Sequence, residues 1–256
     1  MENLLIRKLE HFAPLSLDDV HLLDEVIVPS RSVPARSELM REGQSSSDVW
    51  LILEGFACLY KLLPSGGRQI VGYLLPGDFS DIGGCILKVA DHGIGTLSLC
   101  TVVEIPCRRI LELRSHPGIA RAFGWAALVD GATQREWLLN IGQRHAARRV
   151  GHLLCELFTR LQAVGLADGS GCDLPLTRAD IGDTVGLSNV HVYRCLQTLR
   201  DMKLVAIGSR SVAIRDVVGL MDYTDFNPNY LHLNEHRPSA HYMSKAIARQ
   251  VGDHRL

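Results

Sequence analysis

The chain has 256 residues, which is enough for two domains that each bury a hydrophobic core. Its apolar fraction of 46% and charged fraction of 21% are ordinary for a folded soluble protein. The formal net charge of -1 excludes binding of polyanions by the whole surface, so any nucleic-acid site must be local.

No apolar run approaches the length that a membrane span needs, and the first twelve residues carry charges throughout, unlike a secretory signal. We therefore expect a cytoplasmic protein with no membrane partner. The cysteines are odd in number, scattered and without a CxxC pair, which predicts reduced thiols and not a disulfide framework. The seven are Cys58, Cys85, Cys100, Cys107, Cys155, Cys172 and Cys195.

The N-terminal part begins with two predicted amphipathic helices, over residues 3–12 and Ser16–Leu23, the second capped by Ser16. From Val26 to Ile105, short apolar runs alternate with glycine or proline turns, a spacing typical of a β-sandwich or barrel. Hairpin turns are predicted at Glu54-Gly55 and at Ser65-Gly66-Gly67. This stretch predicts an antiparallel, jelly-roll-like β-roll.

From Cys107 onward the hydrophobic pattern is that of helices. A short helix is predicted to end at Pro117, a long one to fill residues 118–145, and another to fill Arg148–Val164. The long helix has more apolar surface than one neighbouring element could cover. We therefore predict that the same helix of a second subunit covers the remaining apolar surface. The predicted contact stripe contains Ile119, Phe123, Ala126, Thr133 and Trp137.

The stretch Leu176–Arg215 carries the signals of a helix-turn-helix. Thr177 can cap a first helix with Asp180 completing a capping box, and Gly186 can end that helix in a left-handed conformation. Ser188 can cap a second helix. Two short helices joined by a glycine-containing turn make a helix-turn-helix. The predicted inner stripe of the second helix is Val192, Cys195, Leu196 and Leu199.

Charge supports a role for this stretch in DNA binding. From Ser188 to Arg215 there are five basic residues and one acid, Asp201, which gives four net positive charges. Two apolar runs, Leu204–Ile207 and Ser211–Ile214, flank Gly208-Ser209-Arg210 and predict a hairpin with a basic tip. The alternative is an ordinary helical hairpin with a solvated basic face. The basic residues are Arg194, Arg200, Lys203, Arg210 and Arg215.

The order of β-roll, long helix and winged helix resembles the Crp/Fnr family of bacterial transcription regulators over about residues 5–218. The resemblance is carried by LTRADIGDTVGLSNVHVYRCLQTLRDMKLV, by REGQSSSDVWLILEGFACLY and by LLPGDF. It implies an α+β fold: a sensor roll in residues 1–117, a dimerisation helix in 118–145 and a DNA-binding winged helix-turn-helix in 146–222. Residues 223–256 remain as a polar tail. It also implies a homodimer on a palindromic, double-stranded operator, with RNA polymerase as a partner.

The resemblance also assigns contacts to DNA. The base-reading positions correspond to Asn189, Val190, His191 and Arg194, and Arg194 suits a bidentate bond to guanine. The family commonly has glutamate where this chain has Val190, so the operator should differ from the family's best-known one. For Tyr193, partial packing is an equal alternative. The phosphate-contact candidates are Thr177, Ser188, Tyr193, Arg200 and Arg210.

Cyclic-nucleotide members of the family use a glutamate after the PGD-like turn and an arginine some ten residues later. Ser80 and Asp81 occupy the first place, and no arginine lies between Arg68 and Arg108. Lys88 lacks the planar fork that grips a cyclic phosphate. We therefore predict a regulator that is not cyclic-AMP-dependent, with no cofactor and an unknown effector, while a ribose contact by Asp81 stays open.

Other cofactors have weaker support. An iron–sulfur cluster needs several cysteines close together. In the family these cysteines are N-terminal, and this chain has no cysteine before Cys58. Cys85 and His92 could ligate haem, although we expect Cys85 to be packed and His92 to be solvated in a turn. Histidines in the tail have spacings that fit no tight metal site. The candidate effector-pocket residues are Asp81, Cys85 and His92.

An enzyme is the main alternative from another class. A cupin-type metal enzyme needs two or three histidines and a carboxylate, but Val26–Ile105 contains only His92. We find no nucleophile–base pair and no phosphate loop, so we predict that the chain is not an enzyme. A regulator controlled by its abundance or by thiol oxidation also stays open, and it would bind DNA without a ligand.

Overall fold

The structure is a computed structural model that describes residues 3–45, 47–80, 82–169, 171–209 and 211–233. It confirms the predicted α+β order of β-roll, long helix and winged helix-turn-helix. Across the described residues, none of the helices has the length and apolar character that a membrane span requires.

Two short helices precede the roll, α1 (Leu4–Glu10) and α2 (Leu17–Val26). The Ser16 side chain accepts a hydrogen bond from the backbone N–H of Asp19, whose carboxylate accepts one from the Ser16 backbone. This capping box explains why α2 begins where the sequence predicts.

The roll consists of two antiparallel sheets, with strand orders β1-β7-β3 and β2-β6-β4-β5. Ser65-Gly66-Gly67 joins the paired strands β4 and β5, as predicted. The prediction of a hairpin at Glu54-Gly55 is wrong, because β3 and β4 belong to different sheets. Gly55 lies in the connection between them, with a positive φ of 82°. The strands are β1 (Arg31–Val33), β2 (Glu38–Met40), β3 (Asp48–Glu54), β4 (Ala57–Leu62), β5 (Arg68–Leu74), β6 (Gly93–Thr96) and β7 (Cys100–Pro106).

Four helices follow or interrupt the roll: α3 (Gly84–Leu87), α4 (Cys107–Leu113), α5 (Pro117–Gln143) and α6 (Ala146–Ala163). Pro117 follows the segment after α4 and occupies the first turn of α5. Backbone N–H groups in the first turn have no acceptor within the helix, so proline is tolerated there.

The contact stripe predicted on α5 faces the chain's own core. Ile119, Phe123 and Trp137 are only 0%, 3% and 7% exposed, and Ala126 and Thr133 are half-buried. The prediction that Ile119, Phe123 and Trp137 meet a second subunit is therefore wrong. The roll and α6 cover this face, which the helical period alone could not reveal. The exposed leucines of α5 are Leu128, Leu138 and Leu139.

One disulfide corrects the prediction of reduced thiols. Cys85 in α3 is bonded to Cys107 at the start of α4, with 5.2 Å between their Cα atoms. That separation lies in the range a disulfide can bridge. The other five cysteines are free thiols. The roll brings together two segments that lie 22 residues apart, and no spacing rule marks such a pair.

The C-terminal domain combines α6 and three further α-helices with a small sheet of strand order β8-β10-β9. Its elements after α6 are β8 (Asp173–Leu174), α7 (Arg178–Val185), α8 (Asn189–Asp201), β9 (Val205–Ile207), β10 (Val212–Ile214), α9 (Val217–Thr224) and a short 3-10 helix (Pro228–Leu231). Residues 225–233, which belong to the predicted polar tail, pack on the rest of the protein through Phe226 and Leu233. The tail histidines beyond His232 lie outside the described residues.

A buried ion cluster joins the N-terminal helix, the roll and α6. Asp78, in the PGD-like turn, is 4% exposed and accepts hydrogen bonds from Lys8 of α1 and, at 2.5 Å, from Arg160 of α6. It also accepts from the backbone N–H of Leu75 at 2.9 Å. The charges of Lys8 and Arg160 outweigh the burial that would raise the pKa of Asp78, so that pKa is lowered.

Candidate nucleic-acid interface

The helix-turn-helix forms as its capping residues predict. The Thr177 hydroxyl accepts a hydrogen bond from the N–H of Asp180, and the Asp180 carboxylate accepts from the Thr177 N–H. Gly186 takes a left-handed conformation with φ of 68° and ends α7. The Ser188 side chain then accepts from the N–H of His191 and starts α8. Local chemistry therefore explains both ends of α7 and the start of α8.

A close approach fixes the angle between the two helices. A Cβ atom on Gly182 would lie 2.5 Å from the carbonyl oxygen of Leu187 and 3.5 Å from a methyl carbon of Val192. Only glycine leaves room for the turn to fold back onto α7 at this position. The predicted inner stripe of α8 is buried, including Cys195 at 4% exposure.

The predicted base-reading residues lie together on the outer face of α8. Asn189, Val190, His191 and Arg194 are all exposed, and Val190 is 62% exposed. They occupy the first turns of the helix, the part that a recognition helix presents to base edges. Their contacts with bases remain a prediction.

The phosphate-contact candidates differ in availability. Arg200 and Ser188 are exposed, whereas Thr177 is half-buried and donates its hydroxyl hydrogen to Asp180. Tyr193 is 44% exposed, and the guanidinium carbon of Arg178 lies 5.5 Å from its ring centre. Arg178 is thus a further cation beside the base-reading residues of α8, and no feature of the sequence distinguished it from other surface arginines. Arg210 lies outside the described residues.

The predicted wing is present as the β9–β10 hairpin. Val212 pairs with Ile207, and the N–H of Gly208 donates to the carbonyl of Ser211 at 2.9 Å. The hairpin follows α8 directly, so its tip belongs to the same domain as the reading face.

Helix α7 is attached to the β-roll by an ion-pair network that the sequence analysis did not anticipate. Asp180 is fully buried and accepts two hydrogen bonds from Arg36, at 2.6 and 2.8 Å, and one from Arg68 at 3.0 Å. Arg68 also donates to Asp183 at 2.7 Å. The residue that completes the α7 capping box therefore also binds the DNA-binding domain to the roll.

Neutral hydrogen bonds extend this contact along β5. The hydroxyl groups of Tyr73 and Thr184 lie 2.7 Å apart, and Gln69 donates to the Thr184 carbonyl at 2.9 Å. Tyr73 is 3% exposed, so the contact is sealed from water on that side. The reading face, which lies on α8, stays uncovered in this arrangement.

We expect the α7 attachment to weaken in acid. Burial would raise the pKa of Asp180, but hydrogen bonds from Arg36 and Thr177 lower it from 3.8 to about 2. Because the folded pKa lies below the ordinary value, the stabilisation is complete above about pH 4 and is lost as pH falls towards 2. Acid titration of unfolding should therefore show a smaller loss in that window for Asp180→Asn than for the parent protein. The exposed Asp201→Asn is the control and should retain the loss seen in the parent protein.

A cavity of about 460 Å³ lies among α1, the roll and α5. Of the candidate effector-pocket residues, His92 lines it, Cys85 is held in the disulfide, and Asp81 lies outside the described residues. His92 is 8% exposed with Nδ1 2.6 Å from an Asp91 carboxylate oxygen, so the expectation of a solvated histidine is wrong. Strand β6 begins at the next residue and draws His92 inward.

Every lysine and arginine that lines the cavity in the described part of the chain has a carboxylate partner. Lys8 and Arg160 bind Asp78, and Lys61 binds Glu42 at 2.6 Å. Within the described ranges, no group of three or more His, Cys, Asp or Glu side chains could hold a metal ion.

Two family models match the chain. One, described as a cyclic nucleotide-binding domain, matches residues 30–116, and the other, a Crp-like helix-turn-helix domain, matches residues 148–223. The chain is 33% identical over 177 residues to the nitrogen fixation regulation protein FixK of Bradyrhizobium diazoefficiens, covering 68% of this chain and 73% of that one. It is 29% identical to the transcriptional activator protein FnrL of Cereibacter sphaeroides, over 75% of this chain and 79% of FnrL. The solved structure of FixK2 from Bradyrhizobium japonicum is similar with a TM-score of 0.66 and 24% identity, covering 75% of this chain and 95% of that one.

Proposed function

The chain belongs to the Crp/Fnr family of DNA-binding transcription regulators, and from this we propose that it acts in the cytoplasm as a homodimer on a palindromic operator. We further propose that it contacts RNA polymerase, and that cyclic AMP is not its effector. By their descriptions FixK is a regulation protein of nitrogen fixation and FnrL is a transcriptional activator, which favours a regulatory role over catalysis.

The exposed reading face of α8 carries the proposal. Asn189, Val190, His191 and Arg194 project from the first turns of a helix whose opposite side is fully packed. Nothing in the described part of the chain covers these side chains, so a major groove can reach them without rearrangement of α8.

The paired cations of the cavity support independence from cyclic AMP. A cyclic phosphate is best held by a guanidinium fork that is free to bind it. Arg160 is committed to Asp78, and the lysines at the cavity also have carboxylate partners. Binding a phosphate would require breaking one of these pairs.

The proposal is tested by selecting binding sites from a random duplex pool with purified protein, with and without cyclic AMP. We expect enrichment of a palindrome whose half-sites lie about one helical turn apart, with no effect of the nucleotide. Enrichment only with cyclic AMP would contradict the effector proposal, and enrichment of no sequence under either condition would contradict the regulator proposal.

An exposed stripe on α5 supports the homodimer. Leu128 and Leu138 are 73% and 74% exposed, and residues of the same stripe recur at alternating intervals of four and three. Such spacing is the seam of a left-handed coiled coil. A Cβ atom on Gly124 or Gly142 would meet nothing within 4 Å, which leaves room for a second helix to approach closely. The stripe consists of Gly124, Leu128, Gly131, Arg135, Leu138 and Gly142.

We expect the double substitution Leu128→Glu with Leu138→Glu to give a folded monomer. Carboxylates in the seam would face each other across the two-fold axis and lose their hydration. Sedimentation velocity should show the monomer, and affinity for a palindromic site should fall about 100-fold or more, because two half-sites are no longer bound together. Leu17→Glu, at a 77% exposed position on α2, is the matched control and should stay dimeric. A dimeric double variant would place the subunit contact elsewhere.

A further inference from the structure

The chain continues past the matched helix-turn-helix region into a segment that returns to the sensor half of the molecule. We call residues 225–233 the C-terminal strap. It leaves the end of α9, forms the 3-10 helix Pro228–Leu231, and packs against both α5 and α6. The helix-turn-helix model ends at residue 223, so the strap is an addition to the matched domain.

The first half of the strap is anchored in a buried polar site on α6. Tyr230 donates its hydroxyl hydrogen to Glu156 at 2.8 Å, and Glu156 is 0% exposed. Trp137 of α5 donates to the same carboxylate oxygen at 2.8 Å. The rings of Phe226 and Tyr230 pack against buried His152, with centres 5.0 and 6.2 Å away. Removing the strap would leave Glu156 with one fewer partner in a site without water access.

The second half of the strap reaches the N-terminal part of the protein. The His232 ring meets Trp125 of α5 edge-on, with ring centres 6.1 Å apart. His11, which follows α1, has Nδ1 2.8 Å from the carbonyl oxygen of Leu233 and Nε2 3.0 Å from that of Ala163 at the end of α6. The His11 imidazole thus lies between the strap and the end of α6, and in its neutral form it can donate to only one of the two carbonyl oxygens.

The strap also forms part of the cavity wall. Leu231, which is 2% exposed, and Leu233 both line the cavity between the roll and α5. The same few residues therefore contact the sensor cavity, the long helix and the DNA-binding domain.

We propose that the C-terminal strap is a clasp that holds the DNA-binding domain in the arrangement that exposes its reading face, and that couples this arrangement to the cavity. In the clasped arrangement the base-reading residues of α8 are uncovered. A molecule that changes the position of Leu231 or Leu233 in the cavity wall would change the stability of the clasp, and so the population of this arrangement.

Two truncations test the clasp without reference to DNA. A chain that ends at Thr224 lacks the strap, and a chain that ends at Leu233 keeps it and is the matched control. By amide hydrogen exchange, the chain ending at Thr224 should exchange at least about fivefold faster in α1 and around Trp125 in α5. The chain ending at Leu233 should match the full-length protein. Equal protection in both truncated chains would overturn the proposal.

Point variants guard against misfolding of the shorter chain. Tyr230→Phe removes only the hydroxyl group that donates a hydrogen bond to Glu156. Asn229→Ala changes the neighbouring exposed side chain and is the control. Tyr230→Phe should show the same faster exchange in part, and Asn229→Ala should show none. Faster exchange in both variants to the same degree would contradict the assigned contact.

The DNA arm of the test rests on the proposed function. On a duplex selected by the full-length protein, the chain ending at Thr224 should bind about tenfold more weakly, as expected if the competent arrangement falls to a tenth of the population. Tighter binding would show that the strap restrains DNA binding, and would overturn the proposal. If the full-length protein selects no duplex, the proposed function fails, while the exchange experiment still decides whether the clasp exists.

Discussion

Replacing Asp78 by asparagine should lower the free energy of unfolding by about 3–5 kcal/mol, the usual cost of leaving a buried charge without its partner. Asp78 is the carboxylate that Lys8 and Arg160 share, and Arg160 also has Glu156 at 3.6 Å. The Arg160 side chain is 17% exposed and Lys8 is 22% exposed, so water can restore little of the lost stabilisation. The substitution keeps the shape of the side chain, removes its charge and replaces one of its two acceptor oxygens by an NH2 donor.

Urea unfolding followed by circular dichroism measures this loss. Asp201→Asn is the matched control, because the Asp201 side chain is 70% exposed and should change stability by less than about 0.5 kcal/mol. A loss below about 1 kcal/mol for Asp78→Asn would mean that Lys8 and Arg160 find other partners, and that the cluster is not what joins α1, the roll and α6.

Replacing Arg194 by alanine should cost about 1–3 kcal/mol of binding to the selected operator and relax specificity at one base pair of each half-site. Arg194 is exposed on the reading face, and its fork matches the two acceptors of guanine. Binding measured against a panel of single-base operator variants should show the loss at one position, with the other positions still discriminated.

Arg200→Ala provides the contrast, because Arg200 lies farther along α8 and its side chain is 52% exposed. It should weaken binding to all duplexes alike and reduce the slope of log affinity against log salt by about 1. If the two variants lose affinity in the same pattern, the division into base-reading and phosphate-contacting residues is wrong.

The parts of the fold that follow local chemistry could be predicted from the sequence. Thr177, Gly186 and Ser188 each act on backbone groups within a few residues, so their side-chain types alone indicate where α7 and α8 begin and end. The same holds for Ser16 and α2. The two helices of the helix-turn-helix were therefore predictable, whereas strand β8 and helix α9 were not among the predicted elements.

Contacts between distant segments could not be predicted in this way. Asp180 and Arg36 are 144 residues apart, and Asp78 and Arg160 are 82 apart, with no repeating pattern to connect them. The buried face of α5 was misassigned for a related reason. An amphipathic period shows that a helix has an apolar side, but it does not say which neighbour covers that side.

The double role of Asp180 has a consequence for how this protein can change over evolutionary time. The carboxylate caps the start of α7 and also accepts hydrogen bonds from Arg36 and Arg68 of the β-roll. A substitution at either arginine should therefore change how α7 is held against the roll without touching the DNA-binding domain. Its compensating changes should arise on α7, where a new residue can restore the helix start or the contact. We therefore expect substitutions at Arg36, Arg68 and Asp180 to be coupled. A screen for second-site suppressors of a change at one of these residues should recover changes at the others.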